Sequence, residues 1–277
     1  RRKHLFHAST LGIFPQYTCR FANEMLHETI EADAMPNITL MKRHFPPILF
    51  GYPWSKLINE LAVRHVSQEK DIPHAIFRLP LMVTNSSTGY TVQSDPLLRS
   101  HFAIMQTGLR PPGSTEIFME DSDPVNKIML EISLNPRRQH NIYHCVSNVA
   151  GLWTESPEFG MLGFDIRAVP YDAFKACCLQ LGSESPLHRY FPLLDHFEDY
   201  WFTDEKNRLK RDQFPIDTST VVADCPNMPN VTDIAVVMRK GTEWVFDHKS
   251  TWPFDVTWLI PSLDAEILVS PVKKLCA

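Results

Sequence analysis

Gly51-Tyr52-Pro53-Trp54-Ser55-Lys56 places a tyrosine and a lysine four residues apart at the start of a run with helical periodicity. That is about one helical turn, so the phenol and the ammonium lie beside each other on the helix surface. Pro53 suits the first turn of a helix, where its missing N–H costs nothing and its φ is already set. Trp54, Leu57, Ile58, Leu61 and Ala62 then supply one apolar stripe, leaving Tyr52 and Lys56 on a different face. The spacing alone leaves two readings open. The pair is either a catalytic acid with its tuning cation, or a half-buried tyrosine next to a solvated lysine.

Working outward, a strand over Leu5–Ala8 precedes this helix and leads into Ser9 and Thr10. A helix-compatible segment runs from about Phe21 to Ala34, and Pro36, Pro46 and Pro47 mark a loop. After the helix, Asp71-Ile72-Pro73 reads as a turn and Ala75–Leu79 as a short buried strand. A polar loop, Thr84–Asp95, leads to a helix from about Pro96 to Gln106. Lys127–Ile132 is a short helix capped by one of the polar residues before it. His140–Val146 and Asp165–Val169 read as strands and Tyr171–Leu181 as a helix. Strands separated by helices predict a parallel α/β sheet covered by helices.

Composition narrows the class. The 277 residues are 44% hydrophobic and 21% charged, an ordinary globular balance. A net charge of −5 offers no basic field for nucleic acid and no polybasic anchor for a membrane. No apolar run approaches the roughly 20 residues of a membrane helix. The six cysteines lack C-x-x-C spacing and suggest neither a zinc site nor a disulfide framework, so the expected localisation is cytoplasmic. His140 and His144 would share a strand face but sit too far apart to hold a metal. Cys177 and Cys178 read as small core residues. Arg99 reads as a surface salt-bridge partner rather than a phosphate contact. Trp244, Trp252 and Trp258 read as a small core.

A phenol with a pKa near 10 is a poor proton donor at neutral pH. An ammonium one turn away stabilises the phenolate and brings the group closer to its working range. A hydroxyl held across a cleft can donate to a carbonyl oxygen as negative charge develops there. Thr10 stands at the carboxyl end of the first strand, where open α/β sheets bind ligands. Ser9 is the alternative hydroxyl, but adjacent strand residues point to opposite faces, so one of the two reaches the cleft.

In this order, His7-Ala-Ser-Thr10, Gly51–Lys56 and Ile76-Phe-Arg-Leu-Pro80 resemble the extended short-chain dehydrogenase/reductases. Within them the chain is most similar to the thioester reductase domains of carboxylic acid reductases and of nonribosomal peptide and polyketide synthases. Leu57-Ile-Asn-Glu60, Ser94-Asp-Pro-Leu-Leu-Arg99, Asp123-Pro-Val-Asn126 and the stretch Asp165–Leu194 agree in the same order, so the resemblance covers roughly residues 3 to 201. It implies a partial Rossmann-like parallel sheet with a smaller α+β substrate region. It also implies Thr10, Tyr52 and Lys56 as catalytic residues, and Tyr52, Lys56 and Pro80 on the cofactor side. NADPH is the implied cofactor, and an acyl thioester on a phosphopantetheinyl carrier domain the implied substrate and partner. The product would be an aldehyde, with reduction onward to an alcohol as a further step. A fatty acyl-CoA reductase is the second enzyme reading.

The departures are equally specific. None of the ten glycines forms the family's Gly-x-x-Gly-x-x-Gly loop, which seats the cofactor pyrophosphate. At roughly 30 residues per βαβ unit, on the order of a hundred residues of the family pattern are expected upstream of this sequence. Leu57 stands for the family's tryptophan, Leu79-Pro80 for its Pro-Gly and Asn126 for its aspartate. An inactive fragment or interaction module is therefore a reading of a different class. A half-sheet predicts self-association through an exposed strand edge. The expected organisation is residues 1–83 as the C-terminal part of a Rossmann-like domain and 84–201 as substrate region, interleaved with the last Rossmann elements at about 122–148. Residues 202–277 form a tail without an assigned fold.

Overall fold

A computed structural model of the chain describes residues 3–14, 31–44, 50–111, 116–117, 119–146, 151–152, 166–196, 216–229 and 233–254. Its elements begin with strand β1 (Leu5–Thr10), helices α1 (Ile38–His44) and α2 (Gly51–Lys70), and strands β2 (His74–Leu79) and β3 (Leu81–Met82). Helix α3 (Pro96–Thr107), strands β4 (Leu109–Arg110) and β5 (Met119–Glu120), helix α4 (Ser122–Leu134) and strand β6 (Ile142–His144) follow. Strand β7 (Arg167–Ala168) and helices α5 (Tyr171–Leu181), α6 (Ser219–Asp224) and α7 (Ile234–Asp247) lie further along the chain. The helix expected from Phe21 lies outside the described residues as far as Ile30, and Glu31–Ala34 form a turn.

The chain divides into two compact units. The first comprises residues 1–82, 117–150 and 209–231. Its centre is a three-stranded parallel sheet in the order β1-β2-β6. The register sets Thr10 opposite Leu79, Ser9 opposite Arg78 and Arg78 opposite His144. Parallel neighbours need a crossover, and α2 supplies it between β1 and β2. On one face Phe77, Leu79 and Tyr143 pack with Val125, Ile128 and Ile132 of α4 and with Val221 of α6. Helix α4 takes in Ser122–Asn126 and is capped by Asp121, whose carboxylate accepts from the Asp123 N–H at 3.0 Å. Asp224 fastens α6 to this face by accepting from the Gln139 and His140 N–H groups and the Tyr143 hydroxyl.

The other sheet face is covered by α2, which is rotated from the orientation its apolar stripe predicts. Leu57 is buried, yet Ile58 is 59% and Leu61 46% exposed, while Glu60 is fully buried. Periodicity identifies which residues are apolar, but here polar anchors on β1 and β2 decide which side turns inward. Asp71 ends the helix in the left-handed region, at φ 49°, with its N–H on the Ser67 carbonyl. Among the described residues, no strand pairs with the second edge of β1, where Phe6 is 45% exposed.

The second unit comprises residues 83–116, 151–208 and 232–277. Arg99 on α3 is buried rather than a surface ion-pair partner. Its guanidinium donates to the carbonyls of Gln93 and Pro186 and lies over the rings of Tyr190 and Phe254. Trp252 is buried against Phe102, and Trp244 meets Tyr90 edge-on, whereas Trp258 lies outside the described residues. Helix α7 gives part of the tail a defined place, because Gly241 lets it approach Thr84 and Thr91 closely. Cysteine usage departs from the expectation of no disulfide. Cys177 is disulfide-bonded, while Cys145, Cys178 and Cys225 are free and buried. Among the described residues, no helix is long and apolar enough to cross a membrane, and no His/Cys/Asp/Glu group is suited to a metal ion.

Candidate active site

The carboxyl ends of β1 and β2 place Thr10, Leu79 and the buried Pro80 along one edge of the sheet. Thr10 is the N-cap of a single 3-10 turn, Leu11–Ile13, and its Oγ1 accepts from the Gly12 N–H at 3.0 Å. That bond fixes the hydroxyl rotamer and leaves the O–H proton to donate elsewhere. Ser9 points to the other face of the strand, is 2% exposed, and its Oγ has no partner among the described residues.

Lys56 reaches back from the second turn of α2 to donate to the Ala8 carbonyl at 2.9 Å. Its ammonium lies 5.7 Å from the centroid of the Tyr52 ring. An ammonium carries three N–H groups, and only one is used on Ala8. Tyr52, on the preceding turn, is 60% exposed. Thr10, Tyr52, Lys56 and Pro80 thus all belong to the first unit. The bond to Ala8 anchors the lysine two residues before Thr10. His7, one strand residue further back, stays below its ordinary 6.5 because burial disfavours its charged form and Lys56 repels a second cation.

Behind these groups lies a buried polar cluster that sequence reasoning missed. Glu60, one turn beyond Lys56, takes both oxygens to Arg78 on β2, with Nη2–Oε2 at 2.9 Å and Nε–Oε1 at 3.2 Å. Neither side chain is exposed. Arg78 Nη1 donates to the Ala32 carbonyl and to His144 Nε2, each at 3.1 Å. His144 Nδ1 faces the Asp217 carbonyl at 3.0 Å, so the proton sits on Nδ1 and the ring is neutral. Burial, with the Arg78 charge beside it, pushes this imidazole down to about 4. The signal was present in the sequence: an arginine within the apolar strand His74–Leu79 needs a buried counter-charge. Its partners are distant in sequence, and spacing does not reveal them.

A nicotinamide cofactor fits part of this arrangement. The two remaining Lys56 N–H groups, beside the Tyr52 ring, suit the hydroxyls of a ribose. The sequence supplies no glycine loop for a pyrophosphate.

Residues 1–128 match the family described as Male sterility protein, an NAD-binding family. No curated protein matches the chain. Among solved structures, the terminal R domain of the myxalamid PKS-NRPS biosynthetic pathway superposes with a TM-score of 0.67 at 18% identity, over 90% of this chain. A thiolation-reductase di-domain from an archaeal nonribosomal peptide synthetase gives 0.59 at 18% identity, over 88% of this chain. Vestitone reductase from alfalfa gives 0.50 at 13% identity over 89% of this chain, and this chain covers 65% of it. At such identities the likeness is one of fold. The chain spans 59% and 49% of the first two proteins. The match over residues 1–128 agrees with the resemblance read from the sequence, and the architecture is the expected Rossmann-like α/β sheet.

Proposed function

We propose that this chain, an extended short-chain dehydrogenase/reductase by its fold and by the family match over residues 1–128, serves the NADPH-dependent reduction of a carrier-bound acyl thioester to an aldehyde. The observation that carries the reading is the Lys56–Ala8 bond, which fixes a cation beside Tyr52 and two residues from Thr10. A carbonyl oxygen placed between the two hydroxyls accepts the Thr10 proton as a hydrogen bond, held by the Gly12 cap. Tyr52 gives its proton to the same oxygen as the carbonyl carbon becomes tetrahedral, and Lys56 stabilises the phenolate left behind. When bound, the nicotinamide supplies the hydride to that carbon. The resulting thiohemiacetal loses its thiol, whose sulfur takes up a proton, and leaves an aldehyde. Lys56 and Tyr52 would hold the nicotinamide ribose, with Pro80 on the cofactor side.

The carrier thioester as substrate is supported by the fold shared with terminal reductase domains. The test is NADPH oxidation by the protein at its native length, supplied in parallel with acyl-carrier thioesters and acyl-CoA esters, with the aldehyde trapped as a hydrazone. Oxidation that depends on the carrier thioester supports the reading. A preference for the CoA ester moves the substrate class to free CoA, and no thioester-dependent oxidation rejects reductase activity.

A further inference from the structure

We infer that Arg78 is a positioning residue that couples the two halves of the site, the Thr10 turn and the Tyr52–Lys56 helix, through one buried guanidinium. The inference rests on the proposed reading only for what the geometry serves. The coupling itself is a property of the fold.

Two contacts carry it. On the helix side, Glu60 forks onto Arg78 and fixes α2 one turn beyond Lys56. On the turn side, the guanidinium carbon lies 5.0 Å from the centroid of the Phe14 ring. Phe14 is 1% exposed and closes the 3-10 turn that Thr10 opens, with its N–H on the Leu11 carbonyl. His144 meets the same ring edge-on at 6.0 Å and accepts from Arg78 on its other side. The arginine is thus held in its plane by a carboxylate fork, an aromatic face and an imidazole nitrogen. A closed circuit keeps it there. Arg78 donates to the Ala32 carbonyl, the Ala32 N–H reaches Asp217 Oδ2, the Asp217 carbonyl accepts from His144, and His144 returns to Arg78.

A planar, charged, five-donor group can satisfy these directions together, and a lysine cannot. Lys56 anchors to Ala8 on β1, and Arg78 pairs with Ser9, the next residue of that strand. A displacement of α2 relative to β2 therefore alters the Lys56–Ala8 bond, and a tilt of the guanidinium plane alters the Phe14 platform under Thr10. Bidentate pairing is the usual means of holding such groups to the tolerance a reaction needs.

The experiment reads each half of the site while changing the other, in the full chain and without turnover. The Ala8 carbonyl shift, observed through the Ser9 amide, reports the Lys56 bond, and Lys56→Met gives its unbonded value. The Gly12 amide shift reports the Thr10 cap, and Thr10→Val gives its uncapped value. Glu60→Gln, on the helix side, is expected to move the Gly12 amide roughly a third or more of the way to its uncapped value. Phe14→Leu, on the turn side, is expected to move the Ala8 carbonyl similarly. In an Arg78→Lys background both cross-effects should vanish. A purely structural cluster would lower the melting temperature while each substitution moved only its own side, and that result overturns the inference. If Glu60→Gln does not fold, Phe14→Leu carries the same test. Because no reaction is measured, loss of reductase activity and loss of coupling are separate outcomes.

Discussion

Glu60 and Arg78 meet in a two-pronged ion pair with neither side chain exposed, 18 residues apart in sequence and on different elements. Removing one partner leaves an uncompensated charge in the interior. Arg78→Met or Glu60→Ala is expected to destabilise the protein by about 3–5 kcal/mol. The double replacement Glu60→Leu/Arg78→Met should cost much less than the sum, because it leaves no buried charge. Urea unfolding of the two single variants and the double variant measures the difference.

His144 gives stability a defined pH dependence. Its folded value is about 4 and its ordinary value 6.5, so between these limits the unfolded chain binds a proton that the folded protein excludes. Stability is therefore complete above pH 6.5 and declines as the pH falls toward 4, by on the order of 3 kcal/mol for this group. His101 in the second unit, lowered to about 3 by burial, acts in the same sense, as do His7 and His74. His144→Gln can still accept from Arg78 but does not titrate, so it should flatten part of the slope in unfolding midpoints measured from pH 7 to 4.

Gly241 allows the close approach of α7 to Thr84 and Thr91. A Cβ there would sit 2.4 Å from Thr84 Oγ1 and 3.0 Å from Thr91 Oγ1. Gly241→Ala gains about 1 kcal/mol of helix propensity. The forced displacement costs about 1–3 kcal/mol in addition to any disturbance of the Thr84–Thr91 hydrogen bond. Net destabilisation is expected. Gly241→Ala combined with Thr84→Ser, which keeps the hydroxyl, should not recover it, whereas pairing with Thr84→Ala should.

Thr10 separates hydroxyl from shape. Thr10→Val removes both the Gly12 cap and the donor and is expected to lower kcat by about 10²–10³-fold. Thr10→Ser retains the hydroxyl and should stay much nearer the wild type. Equal losses in both variants would assign Thr10 a packing role only, and steady-state kinetics of the pair distinguishes these outcomes.

Much of the fold was legible because its signals are local. The limits of α5 follow from Pro170 and Gly182, and β2 follows from the apolar run after Pro73. The buried face of α2 was not legible: its apolar residues Ile58 and Leu61 face outward because Lys56 and Glu60 are tied to the sheet. In the site, the Tyr52–Lys56 spacing and the strand-end threonine were readable as local patterns. Arg78, Glu60, His144, Asp217 and Phe14 come from five separated segments, and a single sequence carries no record of which distant residues meet. Helix α7 was hidden because the prolines and tryptophans around it obscure its period.

Tyr52 is the proposed proton donor of the reductase site. The most direct measurement compares thioester-dependent NADPH oxidation by the wild type and Tyr52→Phe, with the melting temperature of each. The side chain is 60% exposed, so the substitution should leave the melting temperature unchanged. Loss of the proton donor is expected to lower kcat by about 10²–10⁴-fold. A Tyr52→Phe protein that keeps its fold and stays within about twofold of wild-type kcat would contradict it.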